Sequence, residues 1–198
     1  ILTGVSQRDV AEAVVELGRV WQENTQQMAQ DADVLTAALM SIGGNANEFI
    51  NALRAIAPHA YGAGLSLRET LAALLALNDA GVEASDSAQI LKKVLTTIET
   101  GRLEELGING LAAARGLDGV SQVLDAIRAK LNQLPEGKLN EIFGEEAALA
   151  IKRVVEIDIR ARLRSLEAET QRVPGAAAQA STTFSAALTR FLTAVQAP

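Results

Sequence analysis

Apolar residues recur along this chain at steps of three and four, and strict polar/apolar alternation is missing, so the pattern predicts helices throughout. Ser6, with Asp9 three positions on, starts a first helix whose stripe is Val10, Val14, Leu17 and Trp21. That stripe fades into a polar run from Gln22 to Gln30. A second helix is expected from Asp31 or Asp33, using Val34, Leu35, Leu39 and Ile42 and stopping at Gly43-Gly44. A third opens at Asn45 and buries Phe49, Ile50, Leu53 and Ile56 before Pro58 kinks or ends it.

The clearest signals lie in the middle. Ser66-Leu67-Arg68-Glu69 has the form in which a hydroxyl and a carboxylate reciprocally satisfy free N–H groups at a helix start. Leu67, Leu71, Leu74 and Leu75 follow on one face, and Gly81 sits where a left-handed residue closes a helix. Ser85 or Asp86 opens the next helix, with Ile90, Leu91, Val94, Leu95 and Ile98 inward and Gly101 ending it. A helical turn from Leu103 to Leu106 leads to a loop marked by Gly107, Gly110, Gly116 and Gly119. Helix resumes at Val120 and breaks at Pro135, and Leu139, Ile142 and Phe143 make one more turn before Gly144.

No breaker interrupts Glu145 to about Arg172. Glu156 with Arg160, and Asp158 with Arg162, are four apart and are expected to pair along a solvated helix. Beyond Val173-Pro174-Gly175, an alanine-rich tail sets Phe184, Leu188, Phe191 and Val195 at 4-3-4 spacing, the seam of a helix pair and the candidate self-association site. The expected fold is all-α: a compact multi-helix domain over residues 1–144, followed by a helical arm over 145–198 with a coiled-coil-like tail.

Composition narrows the chemistry. The 198 residues are 48% hydrophobic, enough for a buried core. With 18 Lys+Arg against 24 Asp+Glu, the formal charge of −6 argues against a nucleic-acid site, which needs a basic face. Cysteine is absent and His59 is the one histidine, so thiolate sites, the usual zinc sets and a Ser-His-acid triad have nothing to draw on. No apolar run reaches the roughly 18 residues that would span a bilayer. The start at Ile1-Leu2, in mid-pattern and without a basic-then-apolar leader, reads as a piece of a longer chain with no secretory signal.

Each candidate for chemistry has a plainer reading. Asp31-Ala32-Asp33 lacks the glycine and closing glutamate of a calcium loop and reads as two helix-capping carboxylates. Gly62-Ala63-Gly64 and the Gly107–Gly119 loop lack the spacing of a phosphate cradle and read as turns. Glu104-Glu105 and Glu145-Glu146 point about 100° apart on a helix, so neither is an acid–base pair. Acidic residues interleave with Arg160, Arg162 and Arg164, which favours a solvated or pairing helix over a DNA or membrane contact. No catalytic, metal-binding or cofactor-binding residue is expected.

One stretch is familiar as a whole. Residues 64–85, GLSLRETLAALLALNDAGVEAS, resemble the core segment of phage tail tape measure proteins, a "GLS-x-E-T" helix closed by "AG" and a branched residue. The elements that follow in that family stand here in the same order: Leu103-Glu-Glu-Leu-Gly-Ile108, then Leu117 to Leu124, then Ile142-Phe-Gly-Glu-Glu-Ala147. Thr3-Gly-Val-Ser and the helices up to Ala60 are similar to its preceding region. A departure falls at Glu83 to Gln89, where many members carry a second glycine element. The resemblance implies a structural, non-enzymatic segment that helps set tail length and tail assembly and leaves with the DNA at ejection.

It also implies a homo-oligomer, trimer or hexamer, contacting tail-tube and tail-tip or baseplate proteins, with tail chaperones as further partners and the host membrane only at ejection. The place implied is the lumen of the virion tail, and the host cytoplasm during assembly. The competing expectation is a membrane-active, toxin- or effector-like helical module, with Leu71 to Leu77 and the alanine-rich tail as its apolar faces.

Overall fold

The residues at helical spacing do fold as helices. A computed structural model describes residues 7–42, 45–111 and 115–172. Within them run nine α-helices and one 3-10 turn, with no strand among the described residues. They are α1 (Gln7–Val20), α2 (Thr25–Ser41), α3 (Ala46–Gly62), α4 (Leu67–Asp79), α5 (Ala84–Glu99), the 3-10 turn Arg102–Leu106, α6 (Gly116–Lys130), α7 (Lys138–Phe143), α8 (Glu145–Val154) and α9 (Ile159–Gln171).

The helix with the leucine-rich sequence becomes the hub. α4 packs against α2, α3, α5, α6, α8 and α9, and every residue from Thr70 to Leu77 is buried. A helix apolar on all sides is stable in water only where other helices cover all sides. Burial of Leu71, Leu74, Leu75 and Leu77, each at most 4% exposed, contributes roughly 1.5–3 kcal/mol per side chain before conformational entropy is counted. α3 and α5 lie along each other beside this hub, and α1 closes over α2 and α3.

Two helix starts differ from the expectation, those of α2 and α6, and at Pro58 one of the two expected outcomes is excluded, since the helix does not end there. α2 begins at Thr25, because Asn24 and Gln27 form a reciprocal cap at 3.0 and 2.9 Å, so much of the polar run is helix with its side chains in water. Asp31 therefore sits inside a helix rather than capping one. α3 continues past Pro58 for a further turn to Gly62. α6 begins at Gly116, four residues before Val120.

The stretch from 145 to 172 is two helices rather than one. No glycine or proline marks the break; Asp158 caps α9 by accepting the Ala161 N–H at 3.0 Å, and the chain turns between Val154 and Ile159. The turn lets α8 bury Ile151 and Val154 against α5 and α7 while α9 buries Ile159 and Leu166 against α4, α2 and α6. One straight helix cannot present those residues to both surfaces. Residues of α8 and α9 belong to the same buried cluster as those of α1–α7. The tail seam of Phe184, Leu188, Phe191 and Val195 lies outside the described residues.

The arginines of α9 find partners far away in sequence. Arg160 pairs with Asp118 at 2.8 Å and Asp125 at 3.6 Å, and Arg162 pairs with Asp79 at 3.0 Å and donates to Ser41 Oγ at 2.8 Å. Glu156 faces Arg128 and Asp158 faces Arg164, so the expected pairs four residues apart are not formed. The turn after Val154 takes Glu156 out of the α9 helix, and Asp158, which caps α9, spends its carboxylate on the Ala161 N–H and Arg164.

Candidate functional site

The capping signal at Ser66–Glu69 and the glycines Gly64 and Gly116 meet in a junction at the start of α4, while Glu104-Glu105, Glu145-Glu146 and the α9 arginines lie elsewhere. α3 ends with Gly64 in the left-handed region, φ +81°, where Leu65 N–H reaches Ala60 O and Gly64 N–H reaches Tyr61 O. Two residues later Ser66 caps α4: its hydroxyl accepts the Glu69 N–H at 3.2 Å, and Glu69 Oε2 accepts the Ser66 N–H at 2.7 Å. The capping box is formed as its spacing predicts.

Glu69 has a second duty that no local pattern announces. Its Oε1 accepts the N–H of Leu117 at 3.3 Å, so one carboxylate serves the first turns of both α4 and α6. The two starts are held close by Gly116, φ +63°, whose N–H reaches Ala63 O at 3.0 Å. A Cβ at Gly116 would stand 3.3 Å from Gly64 O, a backbone atom that has little room to yield. Glycines read as turn residues are thus also points of close backbone approach.

The corner between α1 and α2 docks on the same place. Trp21 donates its indole N–H to Leu65 O at 2.7 Å, and Arg68 donates to Asp31 Oδ1 at 2.9 Å and to Gln30 at 3.4 Å. Asp31 is 5% exposed, and Arg68 is the basic group the structure sets against it. Beside this pair lies Glu23, half-buried, its Oε2 reached by no donor among the described residues. Burial, then a hydrogen bond with Asp31 and the charge of Asp31, push the Glu23 carboxyl up to about 8, with Arg68 opposing.

What this junction does chemically is hold helices together. His59 is exposed on α3, and among the described residues no group of three or more His, Asp or Glu side chains is placed to hold a metal ion. A polar hollow of about 220 Å³ between α6 and the α8–α9 turn is lined by Asp125, Arg128, Glu156 and Arg160, whose charges already pair with one another. A groove of about 240 Å³ by Val82, Ile90 and Leu149 is rimmed by Glu83 and Asp86, within the segment that departs from the tape measure pattern. No described helix is long and apolar enough to cross a membrane. Leu71 to Leu77, the apolar face a membrane-active module would need, is enclosed by other helices.

With this junction in view, comparison with known proteins is direct. A family described as phage-related minor tail protein matches residues 2–145. The chain belongs to that family. The match takes in α1–α7 and so the whole junction at the start of α4, while α9 lies beyond it. A tape measure protein of Pneumococcus phage Dp-1 is 30% identical over 117 residues, 54% of this chain and 10% of that relative. The chain spans about a tenth of that relative's length. No solved structure matches. Residues 64–124, which carry most of the resemblance to tape measure proteins, lie within the stretch matched by this family of structural phage tail proteins.

Proposed function

We propose that this chain is a helical segment of a tape measure protein that acts without catalysis, helping to set tail length and assembly inside the tail lumen and leaving with the DNA at ejection. The supporting observation is the family match over residues 2–145 together with a related tape measure protein. Helical construction suits the role, since a helix lengthens by about 1.5 Å per residue and length then follows residue number. In this reading the described helices form a folded station along a longer chain, and residues 173–198 continue it toward neighbouring copies through Phe184, Leu188, Phe191 and Val195. Tail-tube and tail-tip or baseplate proteins are the remaining partners, with chaperones during assembly in the host cytoplasm.

Tail length is the decisive readout. Removing residues 176–195 from the parent protein, in phage particles imaged by electron microscopy, shortens the tail by about 30 Å if that segment serves as helical ruler. Tails of unchanged length overturn the ruler reading for this segment.

A further inference from the structure

The α1–α2 corner is built unlike any other helix end described here. Glu23 N–H reaches Gly18 O at 2.8 Å and Gln22 N–H reaches Arg19 O at 3.3 Å, the same bond pattern that closes α3 at Gly64. The left-handed position is held by Gln22, φ +57°, the one non-glycine residue with positive φ among those described. Such a residue stays in that conformation because something beyond the turn holds it there. The next residue, Glu23, is directed by this turn toward Asp31, an acceptor already engaged by Arg68.

Two carboxyl groups in hydrogen-bond contact need a proton between them, since carboxylate oxygens only accept. Glu23 Oε2 is buried with no N–H or O–H from the described residues to satisfy it, which leaves the carboxyl's own proton to make the contact. The charged groups acting on Glu23 are Asp31 from α2 and Arg68 from α4, and Arg68 lies against Asp31 at 2.9 Å. One guanidinium therefore stands against two acids. It balances a pair holding one charge and is outnumbered by a pair holding two.

We propose that the α1–α2 corner is a proton-dependent latch, in which a proton on Glu23, donated toward Asp31, keeps Trp21 on the start of α4 and its loss releases the corner. Loss of the proton places two anions together in a partly buried site. Swinging Glu23 outward rehydrates it, relaxes Gln22 from the left-handed region and frees Trp21 from Leu65 O. The sign follows from the raised carboxyl. The protonated form's contribution is complete below about 4.5 and is lost as pH rises through about 8. The latch is closed in acid and neutral solution and open in alkali.

The chain carries its own reporter. Trp21 is its single tryptophan, two residues from Glu23. In the purified chain, Trp21 emission is expected to move to longer wavelength between pH 6.5 and 9.5 with a midpoint near 8, and to stay constant in Glu23→Gln, whose amide donates to Asp31 at every pH. The unfolding midpoint of the native chain falls from about pH 4.5 to about pH 8 and is level above that, and that of Glu23→Gln does not show this fall. Carboxyl NMR of the native chain, which needs no variant to fold, places the Glu23 titration near 8. A Glu23 titration near 4.5, or an emission shift that persists in Glu23→Gln, overturns the latch. Neither result bears on tail length, so the latch and the ruler fail separately.

Discussion

Two helix ends in this protein share one hydrogen-bond scheme and differ in everything that supports it. At the end of α3 the left-handed position is Gly64, and the following helix is capped on both sides by Ser66 and Glu69. At the end of α1 the same position is Gln22, and the next residue is an acid held in contact with another acid. The first corner is stable through its own local chemistry. The second is held from outside, by Trp21 on Leu65 and by Arg68 on Asp31. An identical backbone turn can therefore be a fixed point of the fold or a place where it gives way first, according to side chains that the turn does not specify.

Substitutions at the two corners separate these cases, beginning with the largest expected effect. Glu69→Ala removes one side of the capping box and leaves the Leu117 N–H without its acceptor, costing about 2 kcal/mol in urea unfolding. A loss below about 0.5 kcal/mol would show that water replaces the carboxylate fully. Gly64→Ala forces a Cβ into the left-handed region and is expected to cost about 1–2 kcal/mol in the same assay. Its Cβ meets Arg115 Cβ at an ordinary 3.6 Å, so the backbone supplies most of the cost. Gln22→Gly has the opposite sign. It relieves the strain at the other corner and stabilises by up to about 1 kcal/mol, less the added entropy of the unfolded chain. A destabilising Gln22→Gly would mean that the α1–α2 corner is not strained, and the contrast between the two corners would disappear.

Legibility in the sequence follows the same division. The α4 capping box was readable because its donor and acceptor lie three residues apart, and Gly64 and Gly81 were readable as turn residues. The start of α2 was missed although its signal was present: Asn24 and Gln27 form a reciprocal cap, hidden in a run that looked too polar for helix. The second bond of Glu69, to a residue 48 positions away, had no signal at all. Neither had the break between α8 and α9, where no glycine or proline stands and the turn exists because two faces of the core must both be covered. The arginines of α9 were misread for a related reason. Their neighbours in sequence are acidic, yet Arg162 spends its bonds on Asp79, Glu169 and Ser41, the last 121 residues away.

By itself the sequence determined that this protein is helical, where most of its helices lie, how the leucine-rich helix begins, and the tail family it belongs to. Those properties are set by spacings of three and four residues and by caps, which act within a single turn of chain. Tertiary structure alone decided that α8 and α9 fold back on the core, that one carboxylate would join two helix starts, and that Glu23 would meet Asp31. Contacts of that kind depend on which surfaces arrive at the same place, and their energies come from burial and from charges brought close, neither of which exists until the helices have packed.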